Sequence, residues 1–204
     1  MRKIIFATGN QGKMREVRKI LANLKIEGEE TEILSMKEAG VDIEITEDGA
    51  SFEENAVIKA KAVSEVVPGA IVLADDSGLQ IDYLNGEPGI YSARYLGEDT
   101  SYHVKNENLL ARLAGVAEEK RTARFVCAIA AAMPDGRVDT ATGIIEGRIG
   151  YEEKGEGGFG YDPIFYYPPL KKTSAVMTME EKNKVSHRAK ALKALYDYLE
   201  EEHK

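Results

Sequence analysis

The sequence predicts an α/β fold, with a mixed β-sheet flanked by helices. Three observations carry that expectation. Residues 3–8 form a short apolar run, a glycine-bearing turn follows, and a helical period starts at Met14. Strand, turn and helix in that order open an α/β domain. Ala70-Ile71-Val72-Leu73-Ala74 is a second apolar run, bounded by Pro68-Gly69 on one side and by Asp75-Asp76-Ser77-Gly78 at its carboxyl end. Such a run reads as a buried strand. No internal repeat or linker-like tract divides the 204 residues, so a single domain over 1–204 is expected.

The elements follow in order. Val17, Ile20, Leu21 and Leu24 fall at i, i+3, i+4 and i+7, one face of a first helix. A polar stretch over 44–51 leads to a second helix over 52–67, ended by Pro68-Gly69. At 100° per residue, Phe52, Ala56, Ala60, Val63 and Val67 span about 0° to 80° of that helix. Lys59 lies at about −20° and Asn55 at about −60°, whereas Lys61 faces solvent near 180°. Lys59 therefore borders the inward stripe, where a lysine either snorkels out or meets an anion. Residues 80–83 suit another strand, 85–89 a loop, and 102–113 a helix. Residues 124–133 read as a strand, although their alanines also allow a helix. Pro134-Asp135-Gly136 is a turn, and 137–146 suits the returning arm of a hairpin. A glycine-rich loop over 155–160 and a strand over 163–167 precede the last helix, at about 186–202. Ser186 can cap that helix, and Ala189, Leu192, Tyr196 and Leu199 share one of its faces.

Composition narrows the function. With 43% hydrophobic and 30% charged residues the chain can build a core. No apolar run approaches the roughly 18 residues of a membrane span. The start, Met1-Arg2-Lys3-Ile4-Ile5, has neither the length nor the cleavage site of a signal peptide. The one cysteine, Cys127, cannot form an internal disulfide and sits in an apolar stretch as a core residue. His103, His187 and His203 lack zinc-ligand spacing. Together these features point to the cytoplasm. A net charge of −8 argues against a general grip on nucleic acid. A polyanionic ligand would have to be held by a local cluster of Lys and Arg, with room for a divalent cation.

Five segments could carry chemistry. Thr8-Gly9-Asn10-Gln11-Gly12-Lys13 lies between strand and helix, where backbone N–H groups and a lysine make a natural phosphate site. It is neither a Walker A nor a GxGxxG pattern. Asp75-Asp76 ends a buried strand, the place where open sheets put ligands. Neighbours on a strand point to opposite faces, so one carboxylate can face a ligand while the other supports the turn. Glu44, Glu47 and Asp48 are possible further donors to Mg²⁺. Lys59 is the third candidate. In Gly158-Phe159-Gly160-Tyr161-Asp162-Pro163 the ring of Phe159 either stacks on a base or plugs the core, and Asp162 can accept from a base or ribose. Lys182, His187 and Arg188 are donors that could read a purine 6-keto oxygen.

These segments, together with Ser51-Phe52-Glu53-Glu54-Asn55-Ala56 and Gly86-Glu87-Pro88-Gly89-Ile90-Tyr91-Ser92-Ala93-Arg94-Tyr95, resemble the inosine triphosphatase family. Its bacterial members are called non-canonical purine NTP pyrophosphatases, or dITP/XTP pyrophosphatases. The resemblance spans nearly the whole chain. It implies an elongated mixed sheet with two lobes around a central active-site cleft, and a homodimer. It also implies that Thr8 to Lys13 hold a triphosphate with help from Lys59, that Asp76 binds Mg²⁺ and activates water, and that Ser77 touches substrate. Phe159 would stack on the base, while Gly160, Tyr161 and Asp162 line the nucleoside pocket. Lys182, His187 and Arg188 would recognise a 6-keto purine. The second metal ligand would be Glu47, with Glu44 the alternative register. Two rival readings are a pyrophosphatase for pyrimidine or methylated nucleotides, like the septum-inhibition family, and a non-catalytic nucleotide sensor.

Overall fold

The computed structural model describes residues 2–26 and 28–202, and the side chains up to residue 197. Met1, His203 and the side chain of Leu199 lie outside the described residues. The elements are β1 (Arg2–Phe6), α1 (Gln11–Ile20), β2 (Lys25–Ile26), β3 (Glu29–Ser35), α2 (Phe52–Val66), β4 (Ile71–Ile81), α3 (Tyr102–Arg112), β5 (Thr122–Ala132), β6 (Val138–Ile149), β7 (Phe165–Tyr167), β8 (Lys172–Thr173), α4 (Met179–Val185) and α5 (His187–Glu202). The strands form one mixed sheet in the order β2-β3-β1-β4-β5-β6-β7-β8. β1 runs parallel to both β3 and β4, with Ile4 opposite Ile33 and Ile71. β6, β7 and β8 pair antiparallel. The architecture is the α/β class that the strand–turn–helix opening predicts.

Contacts divide the chain into two compact units. One holds the residues up to Asp76, Cys127–Gly143 and the chain from His187. The other holds Ser77–Val126 and Ile144–Ser186. The division falls inside β4, β5 and β6. Each unit has its own apolar core. In the first, Ile4, Phe6, Met14, Val17, Leu73, Ile129, Leu192 and Leu195 pack together. In the second, Leu79, Ile81, Leu109, Leu113, Phe125, Ile149 and Phe165 do so.

Some elements differ from expectation and others hold. The apolar runs at 70–74 and 80–83 are not two strands. β4 is continuous over Ile71–Ile81, so Asp75 and Asp76 stand mid-strand and not at a strand end. Polar side chains interrupt the apolar pattern there, but tertiary partners satisfy them and the backbone stays extended. Asp82–Leu84 is a 3-10 turn closed by Asn85 at φ 54°. The helix rival for 124–133 fails: the alanines of β5 sit in a buried central strand, where small side chains let neighbouring layers approach. The last helix stands where expected, as α5, but α4 over Met179–Val185 precedes it unannounced, with Ser186 extended between the two. β3 is charged and lies next to the sheet edge, so it carries no apolar alternation to announce it.

Candidate active site

The predicted site residues fall into two groups, one on each unit. The first begins at α1. Asn10 caps this helix, its side-chain oxygen accepting from the N–H of Gly12 at 2.8 Å and of Lys13 at 3.1 Å. Its own N–H donates to Thr8 Oγ1 at 3.1 Å. Two of the amides read as phosphate donors are thus already bonded, and the cap fixes the turn in place. Lys13 reaches β4, with Nζ 3.0 Å from Asp75 Oδ1.

Strand alternation sends Asp75 and Asp76 to opposite faces. Asp75 is 0% exposed. Besides Lys13, it accepts from Arg188 Nε at 3.2 Å and Nη2 at 3.0 Å. Arg188 is 1% exposed and also donates to Glu16, which is 2% exposed. Burial alone would push the Asp75 carboxyl up. The charges of Lys13, Arg188 and Lys59 outweigh burial and hold it well below the usual carboxylate range. Through these bonds Arg188, one of the residues expected to read a base, also ties α5 to β4 and α1.

Asp76 has a different setting. It is half-buried and accepts from Asn55 Nδ2 at 3.1 Å. Burial is the main reason its carboxyl lies above the usual value. Lys59 and the Asn55 hydrogen bond pull it down, and the charge of Glu47 pushes it up. Lys59 does meet an anion: Nζ lies 2.9 Å from Glu47 Oε2 and donates to the Asp75 carbonyl at 3.0 Å. Of the three acidic candidates before α2, Glu47 is the one whose carboxylate reaches Lys59 among the described residues. Glu47 and Asp76 together offer only carboxylate oxygens and repel each other, the donor set that suits a hard divalent cation. His187, the first residue of α5, is buried beside Arg188 in sequence.

The second group surrounds Asp162. This buried carboxylate accepts from the Phe159 N–H at 2.8 Å and from Lys182 Nζ at 2.7 Å. The Lys182 ammonium also lies 4.8 Å from the centre of the half-buried Phe159 ring. Gly158, at φ 70°, leaves the space that the Asp162 carboxylate fills. Tyr161 is buried, its hydroxyl donates to the Ser92 carbonyl at 2.6 Å, and its ring meets Tyr102 edge-on at 5.2 Å. Burial pushes the Tyr161 hydroxyl far up, so it stays a neutral donor. Gly160 packs against the Tyr102 ring, and Ser77 is half-buried on β4.

Sequence reasoning passed over Asn55 and Glu16, and left open which of Asp75 and Asp76 faces a ligand. Asn55 is buried and holds both Asp76 and, through Oδ1, the Gly49 N–H at 2.8 Å. Its place beside Lys59 on the inward edge of α2 was the available signal. Asp75 and Glu16 owe their roles to Arg188, over a hundred positions away in sequence, and no local pattern announces them. His103 pairs with Glu153 at 2.7 Å beside Glu107, and Glu153 accepts from Asn106, whose side chain also donates to the Gly160 carbonyl.

The profile of the Ham1 family matches residues 4–198 of the chain. The chain belongs to the Ham1 family. A Bacillus subtilis relative named dITP/XTP pyrophosphatase is 48% identical over 200 residues, covering 98% of each chain. One from Clostridium perfringens with the same name is 45% identical over 204 residues. Among solved structures, the Staphylococcus aureus Ham1 protein superposes with a TM-score of 0.84 at 40% identity, covering 98% of this chain and 100% of that one. A Mycobacterium abscessus nucleoside-triphosphatase, dITP/XTP pyrophosphatase, gives 0.72 at 39% identity, covering 95% and 98%. This Ham1-family chain therefore shares fold and near-complete length with those proteins. No helix among its described residues is long and apolar enough to cross a membrane.

Proposed function

We propose that the chain hydrolyses non-canonical purine nucleoside triphosphates (ITP, dITP and XTP) to the monophosphate and pyrophosphate, with Mg²⁺, and so removes them from the nucleotide pool. The observation that carries this reading is the split pair on β4. One carboxylate is locked to Lys13 and Arg188, while its neighbour is held by Asn55 beside Lys59 and Glu47. Nucleotide binding alone does not require an oriented carboxylate among lysines. The names of the relatives support the substrate class.

In this reading Asp76 orients a water and accepts its proton as the water oxygen attacks the α-phosphorus. The bond from the α-phosphorus to its bridging oxygen breaks, and pyrophosphate leaves. Thr8, Gly9, Asn10, Gln11 and Gly12 shape the phosphate turn, while Lys13 and Lys59 offset charge on the leaving group. Asp76 and Glu47 would hold Mg²⁺, which when bound screens the phosphate charge from the attacking oxygen. Ser77 contacts the substrate. Phe159 stacks on the base, with Gly160, Tyr161 and Asp162 around the nucleoside. Lys182, His187 and Arg188 supply donors for a 6-keto purine, and an adenine amino group would leave buried donors unpaired. A single domain over 1–204, a homodimer and a cytoplasmic location, without nucleic-acid or membrane partners, belong to the same proposal.

A panel of canonical and non-canonical NTPs with Mg²⁺, scored for pyrophosphate, tests it. Equimolar pyrophosphate and monophosphate from ITP and XTP, at rates far above those for ATP, is the expected result. Release of single phosphate would refute the reaction type, and a preference for pyrimidine or methylated nucleotides would refute the substrate class. Asp76→Asn should lower turnover by orders of magnitude with the fold retained.

A further inference from the structure

A cavity of about 450 Å³ in the second unit is not used by the reaction proposed above. Its size falls within the roughly 300–1,000 Å³ typical of small-molecule sites. Arg148, Lys154, Lys171 and Lys172 bring four cations to its walls, and Tyr151 and Tyr166 bring two rings. Glu152 is the one carboxylate in the lining. Arg148, Lys154 and Lys172 are paired with Glu118, Glu152 and Glu181, so Lys171 leaves the cluster with a positive excess in a chain of net charge −8, and a concave positive cluster draws anions. The rings already stack with cations: the Arg148 guanidinium lies 4.6 Å from the Tyr166 centre, and that of Arg121 lies 4.4 Å from Tyr151.

The cations differ in how firmly they are held. Lys154 pairs with Glu152 through side chains 64% and 68% exposed, a contact that a multivalent anion readily displaces. Lys171 follows the Pro168–Leu170 turn at φ 52° and makes no ion pair among the described residues. A phosphate group matches two such lysines, and the cavity is too large for phosphate alone. The tyrosines supply what a nucleobase needs, a flat apolar face with a polar rim. We propose that this cavity is a second binding site for a nucleoside phosphate, with the phosphate on Lys154 and Lys171 and the base against Tyr151 or Tyr166.

The site is wired to the Asp162 group. Lys172 donates to Glu181 at 2.9 Å, and Glu181 closes the capping box that starts α4. The next residue, Lys182, holds Asp162. On the other wall Thr173 Oγ1 donates to the Lys154 carbonyl at 2.6 Å, and the Gly157 N–H donates to the Ala175 carbonyl at 3.0 Å. A phosphate held on Lys154 and Lys171 also attracts the adjacent Lys172 away from Glu181, which loosens the start of α4 and shifts Lys182, Asp162 and Phe159. The expected consequence is a changed KM for the purine substrate with kcat unaltered. This coupling rests on the reading of Asp162 and Lys182 as the nucleoside pocket; occupancy of the cavity does not.

The test uses the full chain and 8-azido-AMP, whose adenine base a 6-keto pocket disfavours. After photolysis, labelled peptides are mapped by mass spectrometry in the wild type and in a Lys154→Glu/Lys171→Glu variant shown to melt at the wild-type temperature. Label on Tyr151 or Tyr166 that the variant loses is the expected result. Label confined to the Phe159–Asp162 segment, or equal label at the tyrosines in both proteins, would overturn the site. Unlabelled AMP should change KM for ITP by about fivefold in the wild type and not in the variant. Specific label with an unmoved KM supports the site and overturns its coupling. The labelling result stands even if ITP is not hydrolysed, so the two proposals fail separately.

Discussion

Replacing Asp75 by Asn separates the two adjacent carboxylates by stability rather than by activity. The substitution keeps the shape and removes the charge that faces Lys13 and Arg188, both within 3.2 Å. Arg188 then keeps Glu16 as a buried carboxylate partner. Removing one member of such a buried cluster costs about 3–5 kcal/mol. For a chain of 204 residues the unfolding entropy is about 0.4 kcal/mol/K, so the melting temperature should fall by about 7–12 °C. Asp76→Asn should change stability by less than about 1 kcal/mol, because burial already disfavours the ionised form there. The sign with pH follows from the lowered Asp75 carboxyl. Its stabilisation is fully present above the unfolded carboxyl value near 3.9 and is lost as pH falls through the folded value. Denaturant unfolding of both variants and the wild type from pH 7 downward is the assay. Equal losses for Asp75→Asn and Asp76→Asn, or a loss below about 1 kcal/mol for Asp75→Asn, would refute the division of roles.

Three other perturbations address separate contacts. Gly158→Ala places a methyl group on the Asp162 carboxylate at a backbone angle that suits glycine. Loss of the charge-assisted bond to Lys182 should raise KM for ITP roughly ten- to a hundredfold, and steady-state kinetics would show it. Gly143→Ala drives a methyl group into the backbone of α5 at His187 and Ala191. It should cost about 1–3 kcal/mol or more, read as a lower melting temperature. Asp82 accepts from Arg124 at 2.8 Å and Thr122 at 2.6 Å, and these bonds hold its carboxyl below the usual value. Asp82→Asn should therefore lose at most about 1 kcal/mol at pH 7, and its difference from wild type should close below about pH 4. A difference independent of pH would contradict that linkage.

Much of the fold was legible because period and punctuation are local properties. The stripe of α2 appears as read, with Phe52, Ala56, Ala60 and Val63 buried and Lys61 exposed. The same wheel placed Lys59 at the inward edge, where it meets Glu47. The ordered motifs also carried family membership, which the match over residues 4–198 bears out. The charged β3 and the seven-residue α4 were not legible, since charge in one and brevity in the other remove periodic signal.

What the sequence alone could determine, then, was the α/β class, the order of its apolar elements and the family. Tertiary structure decided which of two adjacent aspartates is structural. Asp75 and Asp76 are equivalent in local sequence, but extended backbone points them to opposite faces. One meets Arg188 and Lys13 in a buried charge cluster, and the other meets Asn55 at a half-open surface. Only the fold brings α5, α1 and α2 to the two sides of β4, and pKa depends on those neighbours rather than on the chain around it.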